Sequence, residues 1–213
     1  MNILDIFKDC TVNEIAPSLT IVPYRAAHSD DWEPLSVIEP DLKNGPWIAG
    51  GAPLRWYQGL PLGNSDIDVF CRDAIQAAKV IEKIKSYSRY FVKFESENAV
   101  TIEYSSKEHD QWIIQVITRR YFTSMQDVIS NFDLSVCQIG TDGTDWILGA
   151  DTARDIRQKN LRFVPPLHND AVKRLTKYWI YGYRPVEGTL ESIQKNPDAI
   201  WKYENDNDYG NAF

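Results

Sequence analysis

The order of apolar runs predicts an α+β protein, a mixed sheet with flanking helices and a short helical segment at its C-terminal end. Three observations carry that expectation. From Ala74 to Ile84 apolar residues recur at three- and four-residue spacing, the period of an amphipathic helix. Three runs rich in β-branched and aromatic residues follow, Tyr90 to Phe94, Ala99 to Tyr104 and Trp112 to Thr118, and read as a hairpin or meander. Ahead of the helix, Trp47-Ile48-Ala49 and Ile67 to Cys71 are strand-like, separated by a Gly-Gly pair and a short helical stretch.

The remaining elements fall around that centre. Asn2 to Cys10 reads as a short helix, Leu19 to Val22 as a strand, and Pro34 to Pro46 as an irregular approach to the first apolar run. Lys107-Glu108-His109-Asp110 is a polar turn between strands. Ser124 to Ser130 is a short helix and Phe132 to Ile139 a strand. Thr141-Asp142-Gly143-Thr144 is a strong turn signal before Trp146-Ile147-Leu148. Asp170 to Tyr181 is helical, with Gly182 placed to cap it. No internal repeat, low-complexity tract or linker interrupts the chain.

Composition narrows the functional classes. The chain of 213 residues is long enough for one substantial core with a helical appendage. No apolar run is long enough to cross a bilayer, and the first residues lack the basic-then-apolar order of a signal peptide, so the expectation is a cytoplasmic protein with no membrane partner. Cys10, Cys71 and Cys137 are widely spaced, and the last two sit in apolar runs as small buried hydrophobes. The three scattered histidines offer no zinc site. A net charge of −7 argues against broad gripping of nucleic acid by phosphate contacts. Arg119, Arg120, Lys159, Arg162, Lys173, Arg174 and Lys177 nevertheless make the second half more basic than the termini.

The candidate site is the stretch from Trp47 to Phe70. Gly50 and Gly51 let the backbone approach a ligand and leave amides facing out at a helix start, where anions bind well. Asp66 and Asp68 flank Ile67, and strand alternation sends both carboxylates to one face. Side by side they repel unless a cation lies between them, and hard oxygen ligands with room for phosphate suit Mg²⁺ or Mn²⁺. A phosphate cradle facing a metal dyad is the apparatus of nucleotidyl transfer.

These residues resemble the entry motif of the polymerase β-type nucleotidyltransferase superfamily, nearest to the head and neck of CCA-adding enzymes and bacterial poly(A) polymerases. That class has Gly-Gly, a short helix with an Arg, Leu-Leu-Gly and Asp-x-Asp; this chain has Gly50-Gly51, Arg55, Gly59-Leu60-Pro61-Leu62 and Asp66-Ile67-Asp68. Gln115 to Arg120 is similar to the strand that carries a third carboxylate and ends in Arg. Asn131 to Cys137 is similar to Arg-Arg-Asp-Phe-Thr-Ile-Asn, and Asn169 to Lys173 to Glu-Asp-x-x-Arg. A small stand-alone variant of this kind also looks like proteins encoded by large phages, which would place it in the host cytoplasm. Four departures stand out: Gln115 replaces the third carboxylate, Cys137 the closing Asn, the Gly59-to-Asp66 loop is longer, and Arg55 lies one place later.

The resemblance implies a nucleotidyltransferase fold, with residues 47–150 as the core, 151–203 as a helical neck-like segment, 1–46 as an extension packed on the core and 204–213 as a loose acidic tail. It implies transfer of a nucleoside monophosphate from a nucleoside triphosphate to an acceptor hydroxyl, an RNA 3′ end first. A protein or small-molecule acceptor is the alternative, and a catalytically inactive binding fold a second. The helical body that grips tRNA does not follow residue 183 in the matched pattern, so CCA addition itself is not expected. Asp66 and Asp68 are the implied metal ligands, with Asp133 or Glu103 as replacements for the missing carboxylate; Asp133 as a cap and Glu103 as an exposed strand residue are the structural alternatives. Gly50, Gly51, Arg55, Ser65 and Asn64 would meet phosphates, as would Lys173 and Lys177, which share a helix face. Tyr178, Trp179 and Tyr183 read as core.

Overall fold

A computed structural model of the protein describes residues 33–63, 65–104, 112–165, 167–168 and 170–196. The expected helix at Asn2 to Cys10, the strand at Leu19 to Val22, the turn at Lys107 to Asp110 and the acidic tail lie outside these residues. The described residues of 33–131 and 137–149 form one compact unit, and those of 132–136 and 150–196 a second.

The first unit is built on a seven-stranded mixed sheet. Its strands are β1 (Trp47–Ala49), β2 (Ile67–Phe70), β3 (Tyr90–Glu95), β4 (Ala99–Tyr104), β5 (Trp112–Ile117), β6 (Ile139–Thr141) and β7 (Trp146–Leu148), in the order β3-β4-β5-β2-β1-β6-β7. The β2–β5 pair is parallel and its neighbours are antiparallel. Four helices accompany it: α1 (Glu33–Ile38), α2 (Gly51–Tyr57), α3 (Ala74–Lys85) and α4 (Met125–Ser130). Asp73 caps α3 by accepting from the Gln76 amide at 2.7 Å, and Ser124 caps α4 by accepting from Asp127 at 3.1 Å.

Alternation divides the sheet into two different faces. Ile67 and Val69 of β2, Ile114 and Val116 of β5, and Val100 and Ile102 of β4 join one core with Ala77, Val80 and Ile84 of α3. Each of the valine and isoleucine side chains contributes about 1.5–3 kcal/mol when fully buried. Tyr104 stacks on Trp112 with ring centroids 4.6 Å apart, and Tyr90 lies 4.9 Å from Tyr104, so aromatic pairs across neighbouring strands lock the meander. Asp68, Thr101 and Gln115 occupy the opposite face. Cys71 is fully buried and burial pushes its thiol up to about 12, which agrees with an inert core cysteine.

Two expectations are corrected here. Pro34 to Ile38 is not irregular but belongs to α1, a helix too short to show a period, held by burial of Leu35, Val37 and Ile38 in the core of the sheet. Phe132 to Ile139 is not a strand. Leu134 makes an isolated bridge to Phe163, Ser135–Cys137 is a 3₁₀ turn, and only Ile139–Thr141 joins the sheet. Asp133 through Cys137 are all buried, so no solvent-facing alternate survives to sustain a half-buried strand.

In the second unit, α5 (Thr152–Gln158), α6 (Ala171–Ile180) and α7 (Thr189–Gln194) surround a two-stranded parallel pair, β8 (Asn160–Leu161) and β9 (Arg184–Pro185). Gly182 follows the α6 cap at φ 88°, the left-handed conformation its sequence position predicts. Tyr178 and Tyr183 are buried with centroids 5.9 Å apart, as expected of core residues, and the Arg184 guanidinium lies over half-buried Trp179 at 5.2 Å.

Candidate active site

The strand pairing brings Asp66, Asp68 and Gln115 together across a sequence gap of about fifty residues. Asp68 is in register with Gln115 on the parallel neighbour, and Gln115 Nε2 donates to Asp66 Oδ2 at 2.9 Å. All three side chains are half-buried. The residue that stands at the expected place of the third carboxylate is thus an amide, already hydrogen-bonded to the dyad.

The glycine turn is built from two residues with different tasks. Gly50 adopts φ 91°, ψ −132°, a conformation open essentially to glycine alone. Its N–H is donated to the Ile139 carbonyl at 2.9 Å and its carbonyl accepts from Leu54 at 3.1 Å, so Gly50 fastens β1 and α2 to β6. The ligand-facing amide expected of Gly50 is therefore already engaged. Gly51 and Ala52 head α2, where their N–H groups have no intrahelical acceptor, and Pro53 has none to offer. A Cβ added to Gly51 would meet nothing within 4 Å.

Arg55 has a local task that the sequence did not reveal. Its Nε donates to the Pro61 carbonyl at 2.7 Å, and the guanidinium lies 3.2 Å from where a Gly63 Cβ would stand. It thereby shapes the loop that delivers Ser65 and Asp66. Ser65 is half-buried, its N–H donated to Leu62. Asn64 lies outside the described residues.

The two alternatives for the third carboxylate are both engaged elsewhere. Glu103 shares the dyad's sheet face but is 7% exposed and takes Lys93 Nζ at 2.7 Å. Asp133 belongs to the second unit, where Oδ2 accepts from Arg174 Nη2 at 2.5 Å and from the His168 amide at 2.9 Å. Burial pushes the Asp133 carboxyl up, against the pull of the Arg174 charge. Lys173 and Lys177 are exposed on α6, also in the second unit.

Among the described residues no three His, Cys, Asp or Glu side chains gather as a metal cage. The dyad still has the chemistry to hold one Mg²⁺-like ion, which is usually bound through one or two carboxylates, substrate phosphate and water rather than by a full protein cage. The Gln115 amide adds an oxygen but no charge.

The profile of a family described as "Gabija anti-defense 2 family protein", Gad2, matches residues 29–159, more than half of the chain. The chain belongs to the Gad2 family. The matched span takes in the glycine turn, the dyad and Gln115. Comparison with curated protein sequences finds no match. Among solved structures, the Bacillus stearothermophilus CCA-adding enzyme in complex with CTP is similar at a TM-score of 0.52 and 15% identity, over 80% of this Gad2-family chain and 45% of that enzyme. The Thermotoga maritima CCA-adding enzyme complexed with tRNA reaches 0.45 and 17% identity over 69% and 36%. The chain thus spans less than half the length of these enzymes. This Gad2-family member has the α+β nucleotidyltransferase fold, with a mixed sheet and flanking helices. Among its described residues no helix is long and apolar enough to cross a membrane.

Proposed function

We propose that the protein is a Mg²⁺- or Mn²⁺-dependent nucleotidyltransferase that moves a nucleoside monophosphate from a nucleoside triphosphate to an acceptor hydroxyl. The observation that carries this reading is the pairing of Asp66 and Asp68 with Gln115 across β2 and β5, in the unit that also presents the open backbone at Gly51. Asp66 and Asp68 would hold the ion, which supplies positive charge to the triphosphate when bound. The Gly51 and Ala52 amides and the Ser65 hydroxyl are donors for phosphate oxygens, while Gly50 and Arg55 keep the turn and loop in shape. Asp133 is left out of the reacting set, because Arg174 and the His168 amide already hold its carboxylate.

The acceptor hydroxyl gives its proton to solvent as its oxygen attacks the α-phosphorus, the bond from that phosphorus to the β-phosphate oxygen breaks, and pyrophosphate leaves with the electron pair. Rigid strands suit such an in-line displacement, which depends on positioning. The family description supports a role against Gabija defence, and the reaction proposed for that role would draw on triphosphates and Mg²⁺ in a host cytoplasm. The CTP named with the similar Bacillus stearothermophilus structure supports a nucleotide donor, and the motif resemblance supports an RNA 3′ end as acceptor. The net charge of −7 supports a protein or small-molecule acceptor instead.

A second reading, nucleotide binding without turnover, is favoured by one observation: the third-carboxylate position is a neutral amide that donates to Asp66. Incubation with each α-labelled nucleoside triphosphate, Mg²⁺ or Mn²⁺, and a mixture of total RNA and protein separates the readings. Label on RNA or on protein supports transfer and names the acceptor. Bound nucleotide with no transferred label under either metal overturns it in favour of binding alone.

A further inference from the structure

The acceptor class follows from Gln115 and from the sheet face around it, on the nucleotidyl-transfer reading above. In two-ion sites the second ion activates the attacking hydroxyl. That device needs a further negative ligand, and the strand position in register with Asp68 carries an uncharged amide whose Nε2–H occupies an Asp66 oxygen. Glu103, on the same face, is neutralised by Lys93 at 2.7 Å. Gln115 can neither anchor a second cation firmly nor take a proton from the acceptor. An aliphatic hydroxyl, a far weaker acid than a phenol, is poorly served by such a site. A phenol, which ionises near pH ~10, requires far less activation.

The surface beside the dyad has the chemistry of a protein contact. Register places Phe94 opposite Thr101, and Thr101 opposite Gln115, so these residues share the face of Asp68. The irregularity at Lys93 lets Phe91, opposite Glu103, present its ring on that face as well. Phe91 is 47% and Phe94 63% exposed, while Ile113 and Ile117 on β5 are half-buried between them and the dyad. Three strand spacings separate β3 from β2, about 14 Å. This span suits a short peptide segment lying across the sheet. Its charged pair, Lys93–Glu103, is internally balanced, unlike the basic groove by which nucleic acid is held.

We infer that the acceptor is a tyrosine side chain on a partner protein, seated on the Phe91–Phe94–Ile113–Ile117 face and nucleotidylated at its phenolic oxygen. The phenolic O–H gives its proton to solvent, the oxygen forms the new bond to the α-phosphorus, and the bond from that phosphorus to pyrophosphate breaks.

The test has a metal arm and an acceptor arm, both on the full chain. Electron paramagnetic resonance counts bound Mn²⁺ in the presence of a non-hydrolysable triphosphate analogue. One ion is expected in the wild type and a second in Gln115→Glu; two in the wild type overturn the inference. Wild-type protein is then given α-labelled triphosphate with three probes: a tyrosine peptide, the same peptide with serine in place of tyrosine, and a single-stranded oligoribonucleotide. Labelling of the tyrosine peptide at least tenfold above both others is expected, rising with pH toward the phenol's ionisation. Phe94→Ser should raise KM for the tyrosine peptide at least threefold and leave triphosphate affinity unchanged. Label on the oligoribonucleotide or serine peptide overturns the tyrosine inference and upholds nucleotidyl transfer; triphosphate bound with no probe labelled overturns both.

Discussion

Asp133 and the Asp66–Asp68 pair are carboxylates of the same chain placed in opposite circumstances. Asp133 is 1% exposed, and its Oδ2 is taken by the Arg174 guanidinium and a backbone amide. Arg174 reaches Asp170 as well, at 2.9 Å, so one cation joins two carboxylates within the second unit. The dyad is half-buried, and what stands in register with it is a neutral amide. A buried carboxylate with a cationic partner holds structure, because removing the partner strands a charge away from water. Two neighbouring half-buried carboxylates repel each other, and a cation between them relieves that repulsion. The difference in burial, rather than residue type, separates a carboxylate of the fold from the candidate ligand pair.

The contrast is sharpened most by Arg174→Ala. It strands the Asp133 carboxylate and should cost about 3–5 kcal/mol in denaturant unfolding. Gln115→Ala, its counterpart in the first unit, removes a half-exposed neutral donor and should cost about 1 kcal/mol. Equal losses from the two would erase the distinction between a structural pair and a ligand pair.

Gln115→Glu follows in size. The added charge beside Asp66 and Asp68 should lower stability by about 1 kcal/mol without metal, through like-charge repulsion across neighbouring strands. Mn²⁺ should restore that loss, so paired melting curves with and without the ion cross between variant and wild type. No change in either curve would mean that Gln115 lies outside the site.

Gly51→Val is the smallest in its effect on the fold and the most selective for ligand. No atom stands within 4 Å of the added Cβ, so stability should change by less than about 1 kcal/mol, the ordinary propensity difference at a helix start. Triphosphate affinity should fall about tenfold while nucleoside affinity holds, because the new side chain occupies the space in front of the backbone donors. An equal loss for both ligands would remove the phosphate cradle from the account.

Much of this was legible in residue order, for reasons that vary along the chain. The α3 helix and the β3–β5 meander have periodic apolar patterns, and the structure follows them within a residue or two. The Asp66–Gln115 proximity was legible only through the family resemblance, since nothing local in either strand records a parallel pairing. The α1 helix escaped because six residues show too little of a period and tertiary burial decides them. Asp133 to Cys137 read as a strand because the run is apolar, yet Asp133 and Ser135 are buried with distant partners: Ser135 Oγ donates to Asp155 at 2.6 Å. Arg55 was expected to face phosphate, and its bond to the Pro61 carbonyl depends on a loop shape set by Gly59 and Gly63 at positive φ. Such side-chain partnerships leave no periodic trace.

The most direct measurement of the central claim is calorimetric titration of a non-hydrolysable nucleoside triphosphate, with and without Mn²⁺, into wild-type protein and Asp68→Asn. Binding should depend on Mn²⁺ in the wild type and fall more than about a hundredfold in the variant, which is several kcal/mol of metal-borne charge stabilisation. The variant's melting temperature should hold or rise, since a like-charge repulsion is relieved. Asp68→Asn binding nucleotide as the wild type does, with the same dependence on Mn²⁺, would contradict the assignment of the dyad.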